Sequence, residues 1–308
     1  MAGDRALQQG RIAGLRAAPG GLRELGTFRV GPIELADPAK LVLDVELESS
    51  ALRVRNRWKF WGFPAAKRGL ARGNLVNLTN EPLVDRRYGL DGRRELGRAS
   101  LVLADKVTPE LFAHLRDGGR AILLDHDAQR SGLSRPGVVH ESGRPAPRSA
   151  ILRRPGAMTY WAYWLRCNAQ VVERHPALDD FPHDGFSDFQ LLRLFGSGAA
   201  TVDFTPRDAA ARKKFRPIIW GLSLVPWTED ASRFGLALAW GGLLSECRVG
   251  QGRLLVCNLY VLDGLRKGYP EAGYLLDCLI GYAQSPAFDP PPGAMSAAEF
   301  EDVFVISK

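Results

Sequence analysis

Nowhere in its 308 residues does this sequence hold an apolar run near the roughly 20 residues that cross a bilayer. A membrane-spanning helix is therefore not expected, and no membrane partner. Cysteine is scarce: Cys167, Cys247, Cys257 and Cys278 are the whole set, far apart, with neither a CxxC pair nor zinc-ligand spacing. Cys247, Cys257 and Cys278 sit in apolar runs, where a reduced buried thiol is expected. The first fifteen residues mix Asp4, Arg5, Gln8, Gln9 and Arg11 with short apolar side chains. They lack the apolar core of a signal peptide, so with Met1 as the native start the chain is expected in the cytoplasm. No cofactor motif and no metal-ligand pattern stands out.

What is present is an ordinary globular composition, 45% hydrophobic and 24% charged, with a formal net charge of +7. That charge is unevenly placed. Residues 1–50 carry 6 basic and 7 acidic groups, residues 51–100 carry 12 and 4, and residues 101–308 carry 23 of each. The excess thus lies between Arg53 and Arg98. A basic stretch can mark nucleic acid, but here scattered arginines lie among Gly and Asn without a helix-turn-helix, finger or RNP signature. A solvated linker, or a surface against an acidic neighbouring domain, accounts for it better.

The chain divides by pattern. Leu41 to Glu48 alternates apolar and acidic residues, the period of a half-buried strand, and Val54, Asn56 and Trp58 continue the pattern. Residues 1–64 therefore read as a β segment, too short for the roughly seven strands of a complete sandwich. Residues 65–98 read as a basic linker. Past Ala99, an apolar run (Leu101 to Ala104) precedes Thr108-Pro109-Glu110, which predicts an N-cap and a helix over Pro109 to Arg116. The buried strand Arg120 to Leu124 follows. Strand, helix and strand in that order form a βαβ unit, the building block of parallel sheets. Further on, Asp184 is expected to cap a helix presenting Phe186, Phe189, Leu192 and Phe195. Phe234 to Trp240 and Leu243 to Cys247 read as two strands joined near Gly241-Gly242, Arg253 to Cys257 as another, and Pro270 to Ala283 as the last helix. An α/β domain over 99–285 and an extended tail over 286–308 complete the division.

Four motifs carry a family resemblance. Asn56, Trp58, Trp61 and Pro64 fit the Asn-x-Trp-x-x-Trp-x-x-Pro strand that ends an immunoglobulin-like sandwich in large bacterial family 2 glycoside hydrolases, proteins of the β-galactosidase type. His175-Pro176-Ala177-Leu178, Phe181-Pro182, Gly185-Phe186 and Asp188-Phe189-Gln190 resemble a downstream pattern of the same proteins. Phe215-Arg216-Pro217-Ile218 and the Gly250 to Val256 stretch resemble its later landmarks. The resemblance spans residues 30–285. It implies a flavodoxin-like, class I glutamine amidotransferase-like parallel sheet with flanking helices, preceded by a partial immunoglobulin-like β segment. It also implies that sugar chemistry resides in an upstream (β/α)8 barrel, which this chain lacks.

An amidotransferase nucleophile needs a glycine-flanked cysteine on a strained turn and a histidine base. No Gly-x-Cys-x-Gly occurs, and no histidine follows His183. The chain is therefore expected to be a non-catalytic accessory or assembly domain, partnered by upstream domains or by its own copies. Candidate ligand residues are few. Asp125 and His126 follow a strand directly, at the edge where open α/β sheets bind ligands. Trp161 and Trp164 could stack on carbohydrate. His183, Asp184 and Asp188 gather polar groups near His175, with helix capping and loop fixing as their ordinary use. A stand-alone glycoside hydrolase acting at the sheet edge and a nucleic-acid binder using the basic segment are the alternatives.

Overall fold

The βαβ reading after Ala99 holds residue by residue. In the computed structural model, β4 (Leu101–Ala104), α2 (Pro109–Arg116) and β5 (Arg120–Leu124) follow in that order. Thr108 Oγ1 accepts the Leu111 N–H at 3.2 Å, and Pro109 opens the helix. The structure describes residues 6–15, 24, 26–27, 29–31, 33–66, 74–92, 95–125, 149, 151–152, 156–158, 170–195, 199–203, 214–226 and 236–307.

Two elements precede this unit inside the stretch read as a basic linker: β3 (Leu75–Asn77) and α1 (Pro82–Tyr88). β3 pairs parallel with β4 and is buried along its length. Arg87 of α1, one of the arginines behind the charge excess, forms an ion pair at 2.6 Å with the buried Asp277.

The expected flavodoxin-like parallel sheet is not what forms. The described strands build a mixed ten-stranded sheet in the order β3-β4-β5-β11-β10-β8-β6-β9-β7, with β12 alongside β10. Here β6 is Gly156–Met158, β7 Val171–Val172, β8 Ala199–Asp203, β9 Phe215–Pro226, β10 Leu236–Val249, β11 Gly252–Cys257 and β12 Ala294–Met295. β3, β4, β5 and β11 pair parallel in succession, and beyond β11 the described pairings are antiparallel apart from that of β10 with β12. The reason is local. The turn at Gly250-Gln251 leaves no room for a crossover helix, so β10 and β11 must pair antiparallel. The long strands β9 and β10 also pair antiparallel over most of their length. Gly241-Gly242, expected to be a turn between two strands, lies inside the single strand β10. A register shift follows at Gly242/Leu244, so these glycines mark a bulge.

Around the parallel strands the sheet is covered on both faces. Leu103, Ile122, Leu124, Leu255 and Cys257 pack with α4 (Val261–Arg266) and α5 (Pro270–Gln284). Val102, Ala121, Leu123, Leu254 and Val256 face α2 and α6 (Ala297–Val303). Successive residues of a strand point to opposite faces, so continuous apolar runs are what a sheet covered twice requires. The tail beyond residue 285 contributes β12 and α6 to this covering, with Phe300 and Phe304 fully buried.

The N-terminal segment described as a partial sandwich contributes one hairpin among its described residues. β1 (Ala39–Glu48) pairs with β2 (Arg53–Gly62). Leu41, Leu43 and Leu47 oppose Phe60, Trp58 and Val54 on one face. Asp44 and Glu46 meet Arg53, Arg55 and Arg57 on the other. The base is anchored: Phe63 stacks on Phe181 at 5.5 Å and meets Tyr274 at 5.8 Å, and Lys40 pairs with Asp184. Phe60 also stacks on Phe189, with ring centroids 6.5 Å apart. The remainder stands in solvent, with Val42, Val45, Leu47, Val54 and Trp58 exposed.

Candidate functional site at the carboxyl edge and the Glu246 network

Each parallel strand ends in a buried polar residue. Asn77 closes β3, Asp105 follows β4, Asp125 follows β5 and Asn258 follows β11. This is the edge at which open α/β sheets take ligands. Asn77 Oδ1 accepts from the Thr79 backbone N–H at 2.9 Å and from its hydroxyl at 2.6 Å, which fixes the turn into α1. Asn258 Nδ2 donates to Asp125 Oδ2 at 3.0 Å, and the Asp125 N–H donates to the Cys257 carbonyl. Among the described residues Asn258 Oδ1 is buried without a hydrogen-bond partner.

The thiol beside this edge is fully buried. Burial pushes Cys257 up to about 12, a backbone hydrogen bond at Leu259 works against this, and Asp125 adds to it. At neutral pH it stays protonated and takes the part of a small apolar side chain.

A second polar group lies inside β10. Glu246 is fully buried, yet three elements reach it. Tyr282 of α5 donates to Oε2 at 2.6 Å. Arg216 of β9, directly across the ladder, comes within 2.9 Å of Oε1. His175 Nε2 lies 3.5 Å from that same oxygen. These last two approach as charges and dipoles, since neither aligns as a hydrogen bond to Oε1. The imidazole tautomer follows from its other nitrogen. Nδ1 accepts the Ala177 N–H at 3.2 Å, so in the neutral ring the proton sits on Nε2, facing Glu246. Burial, and then the Glu246 carboxylate, drive the Tyr282 hydroxyl far above its ordinary range. The same two causes hold the Cys247 thiol protonated.

The candidates picked from sequence are dispersed. Asp125 stands at the carboxyl edge as expected, and fully buried. His126, Trp161 and Trp164 lie outside the described residues. His183 Nδ1 accepts the Gly185 N–H at 3.1 Å, and its pKa is lowered, chiefly by burial. Asp184 does not cap a helix; it pairs with Lys40 of the hairpin. The helix there is α3 (Phe189–Leu192), preceded by Asp188, whose carboxylate makes no capping bond. Phe186 and Phe189, expected on its buried face, are exposed, while Leu191, Leu194 and Phe195 are buried. His175 turns inward to Glu246, away from this group. Among the described residues no set of three or more His, Cys, Asp or Glu is placed to hold a metal, and no helix is long and apolar enough to cross a membrane.

Sequence reasoning missed Glu246 and Asn258. The signal for both was present: a carboxylate interrupts the apolar run Leu243 to Cys247, and an amide ends the run Leu254 to Cys257 just as Asp125 ends its own.

A family model described as a domain of unknown function (DUF8487) matches residues 160–305. That span holds the Glu246 network and Asn258, and leaves out Asp105, Asp125 and the hairpin. No curated protein matches the chain.

Proposed function

We propose that this chain is a non-catalytic assembly module of a carbohydrate-active protein of the family 2 glycoside hydrolase type, with the β1–β2 hairpin as its docking element. The observation that carries the reading is the hairpin's exposed apolar face. A lone two-stranded ribbon is marginally stable in water, and Leu47, Val54 and Trp58 stand uncovered on it. Contiguous exposed apolar surface of this kind marks an interaction site. The sugar-processing class comes from the sequence resemblance. Several residues that carry that resemblance serve as fasteners: His175 and Arg216 converge on Glu246, and Phe181 receives Phe63.

The purified chain is expected to release neither nitrophenol from aryl glycosides nor ammonia from glutamine. Mixed with a family 2 catalytic domain from the same source organism, it should form a complex in sedimentation that V54D weakens. Turnover by the chain alone, abolished by D125N or C257S, would overturn the reading.

A second reading has its own observation. Asp125 and Asn258 form a buried polar pair at the carboxyl edge, and a hydroxyl-bearing ligand could satisfy Asn258 Oδ1. A hydrolase acting there would show that D125N-sensitive turnover.

A further inference from the structure

Away from the hairpin and the carboxyl edge, β7, β9 and β10 present an aromatic surface that neither site uses. Trp220 of β9 and Trp240 of β10 stack with ring centroids 4.8 Å apart and planes 14° from parallel. Alternation along the strands explains why they lie outside the core. Ile219 and Val172, paired with each other, are buried, so their neighbours Trp220 and Val171 turn to the opposite face. Trp220 stands opposite Gly242, and Trp240 opposite Leu222, so the two indoles meet diagonally over a position that has no side chain. The Trp220 ring is fixed at its edge, because Nε1 donates to Glu173 Oε1 at 2.7 Å. Trp240 remains 47% exposed. On the other side of Trp220 the cross-strand row continues through Val171 to the exposed Phe186. Phe186 and Trp220 are thus separated by two strand spacings, about 10 Å.

We propose that this surface is a binding platform for a neutral oligosaccharide of pyranose rings, with Trp240 as the stacking ring, Trp220 as its backing and Glu173 as a rim hydrogen-bond acceptor. The site's chemistry selects the ligand. A pyranose offers one apolar C–H face to an aromatic plane and hydroxyl donors around its edge, and here a flat indole is bordered by an exposed carboxylate. A carboxylate on the rim disfavours nucleic acid and other anionic ligands. A proline-rich peptide in extended form also docks on aromatic grooves, but the Trp220 N–H that could bind its carbonyls is already engaged by Glu173. Aromatic positions spread along one face, from Trp240 and Trp220 to Phe186, suit a chain of rings better than a single sugar. The ligand class accords with the sugar-processing function proposed above and rests on it for its biological sense. The site itself shares no residue with the hairpin, so binding here and docking there fail or succeed separately.

The test is titration of the full chain with cellopentaose and with a β-1,4-galactopentaose, followed by tryptophan fluorescence and by the indole N–H cross-peaks in NMR. One of the two should bind and shift the Trp220 and Trp240 cross-peaks. W240A should weaken that binding by about tenfold or more, the upper range for one aromatic contact, with thermal unfolding unchanged. W240F should retain part of the affinity, and E173Q should reduce it while leaving the fold intact. If W240A proves unstable, W240F and the wild-type cross-peak shifts still decide the matter. Absence of binding by both sugars, or binding that W240A leaves unchanged, overturns the proposal. So does decaproline shifting the same cross-peaks where the sugars do not.

Discussion

Tyr282 of α5 donates a 2.6 Å hydrogen bond to the fully buried Glu246 carboxylate of β10. The contact ties a helix to the strand on which the sheet changes from parallel to antiparallel. Hydrogen bonds to charged groups contribute about 1.5–3 kcal/mol, so Y282F should lose that much stability in urea unfolding. E246A should cost more, because it leaves the buried Tyr282 hydroxyl without its acceptor and also takes the charge partner from the half-exposed Arg216. Wild-type stability in either variant would remove Glu246 from the framework.

Gly252 opens β11 against the end of α2. A Cβ there would lie 2.1 Å from the Leu115 carbonyl oxygen and 2.6 Å from that of Gly119, both backbone atoms that cannot swing aside. G252A should therefore cost at least the roughly 1–3 kcal/mol of overpacking, measured as a lowered urea midpoint. An unchanged midpoint would mean that α2 sits farther from the β10–β11 turn.

The sequence told much about the parallel half and little about the rest, for a physical reason. Thr108, Pro109 and the runs around Leu103, Leu123 and Val256 encode local structure: a cap, a helix start, strands buried on two faces. Their consequences are settled within a few residues. Strand direction in the other half depends on connections. The short Gly250-Gln251 turn forbids the parallel pairing that a flavodoxin-like sheet needs between β10 and β11, a constraint set by the connection and not by the pattern of either strand. The two glycines of β10 were ambiguous for the same reason, since a bulge and a turn share a composition. Asp125 was placed correctly because strand ends are local. Glu246 and its partners were not assembled, because His175, Arg216 and Tyr282 meet only through tertiary packing.

Leu255 is buried in the central strand β11, between β5 and β10. L255D puts an unpaired carboxylate among apolar side chains, one of the costliest core changes. Soluble expression should be lost. A variant that expresses and melts like wild type would contradict the burial of β11 on both faces.

Glu299 provides a pH-dependent test. The Lys214 ammonium first, and then the Ser296 backbone N–H and hydroxyl, lower its pKa from 4.5 to about 2. A carboxylate held below its unfolded value stabilises the fold above that unfolded value, and the effect is lost as pH falls through the folded one. E299Q should therefore be less stable than wild type at neutral pH, and the gap should close between pH 4.5 and about 2. A gap that persists below that window would assign the effect to packing of α6.

The central claim is that the hairpin is an uncovered docking element and that the sheet is a finished core. Native-state hydrogen exchange on the isolated chain, in a sample shown to be monomeric, compares the two directly. Residues 39–62 should exchange close to the rate of local opening, and residues 252–257 should exchange only through global unfolding. Equal protection of the two segments in that monomer would mean that the hairpin is already covered, and would contradict the assembly function proposed for this chain.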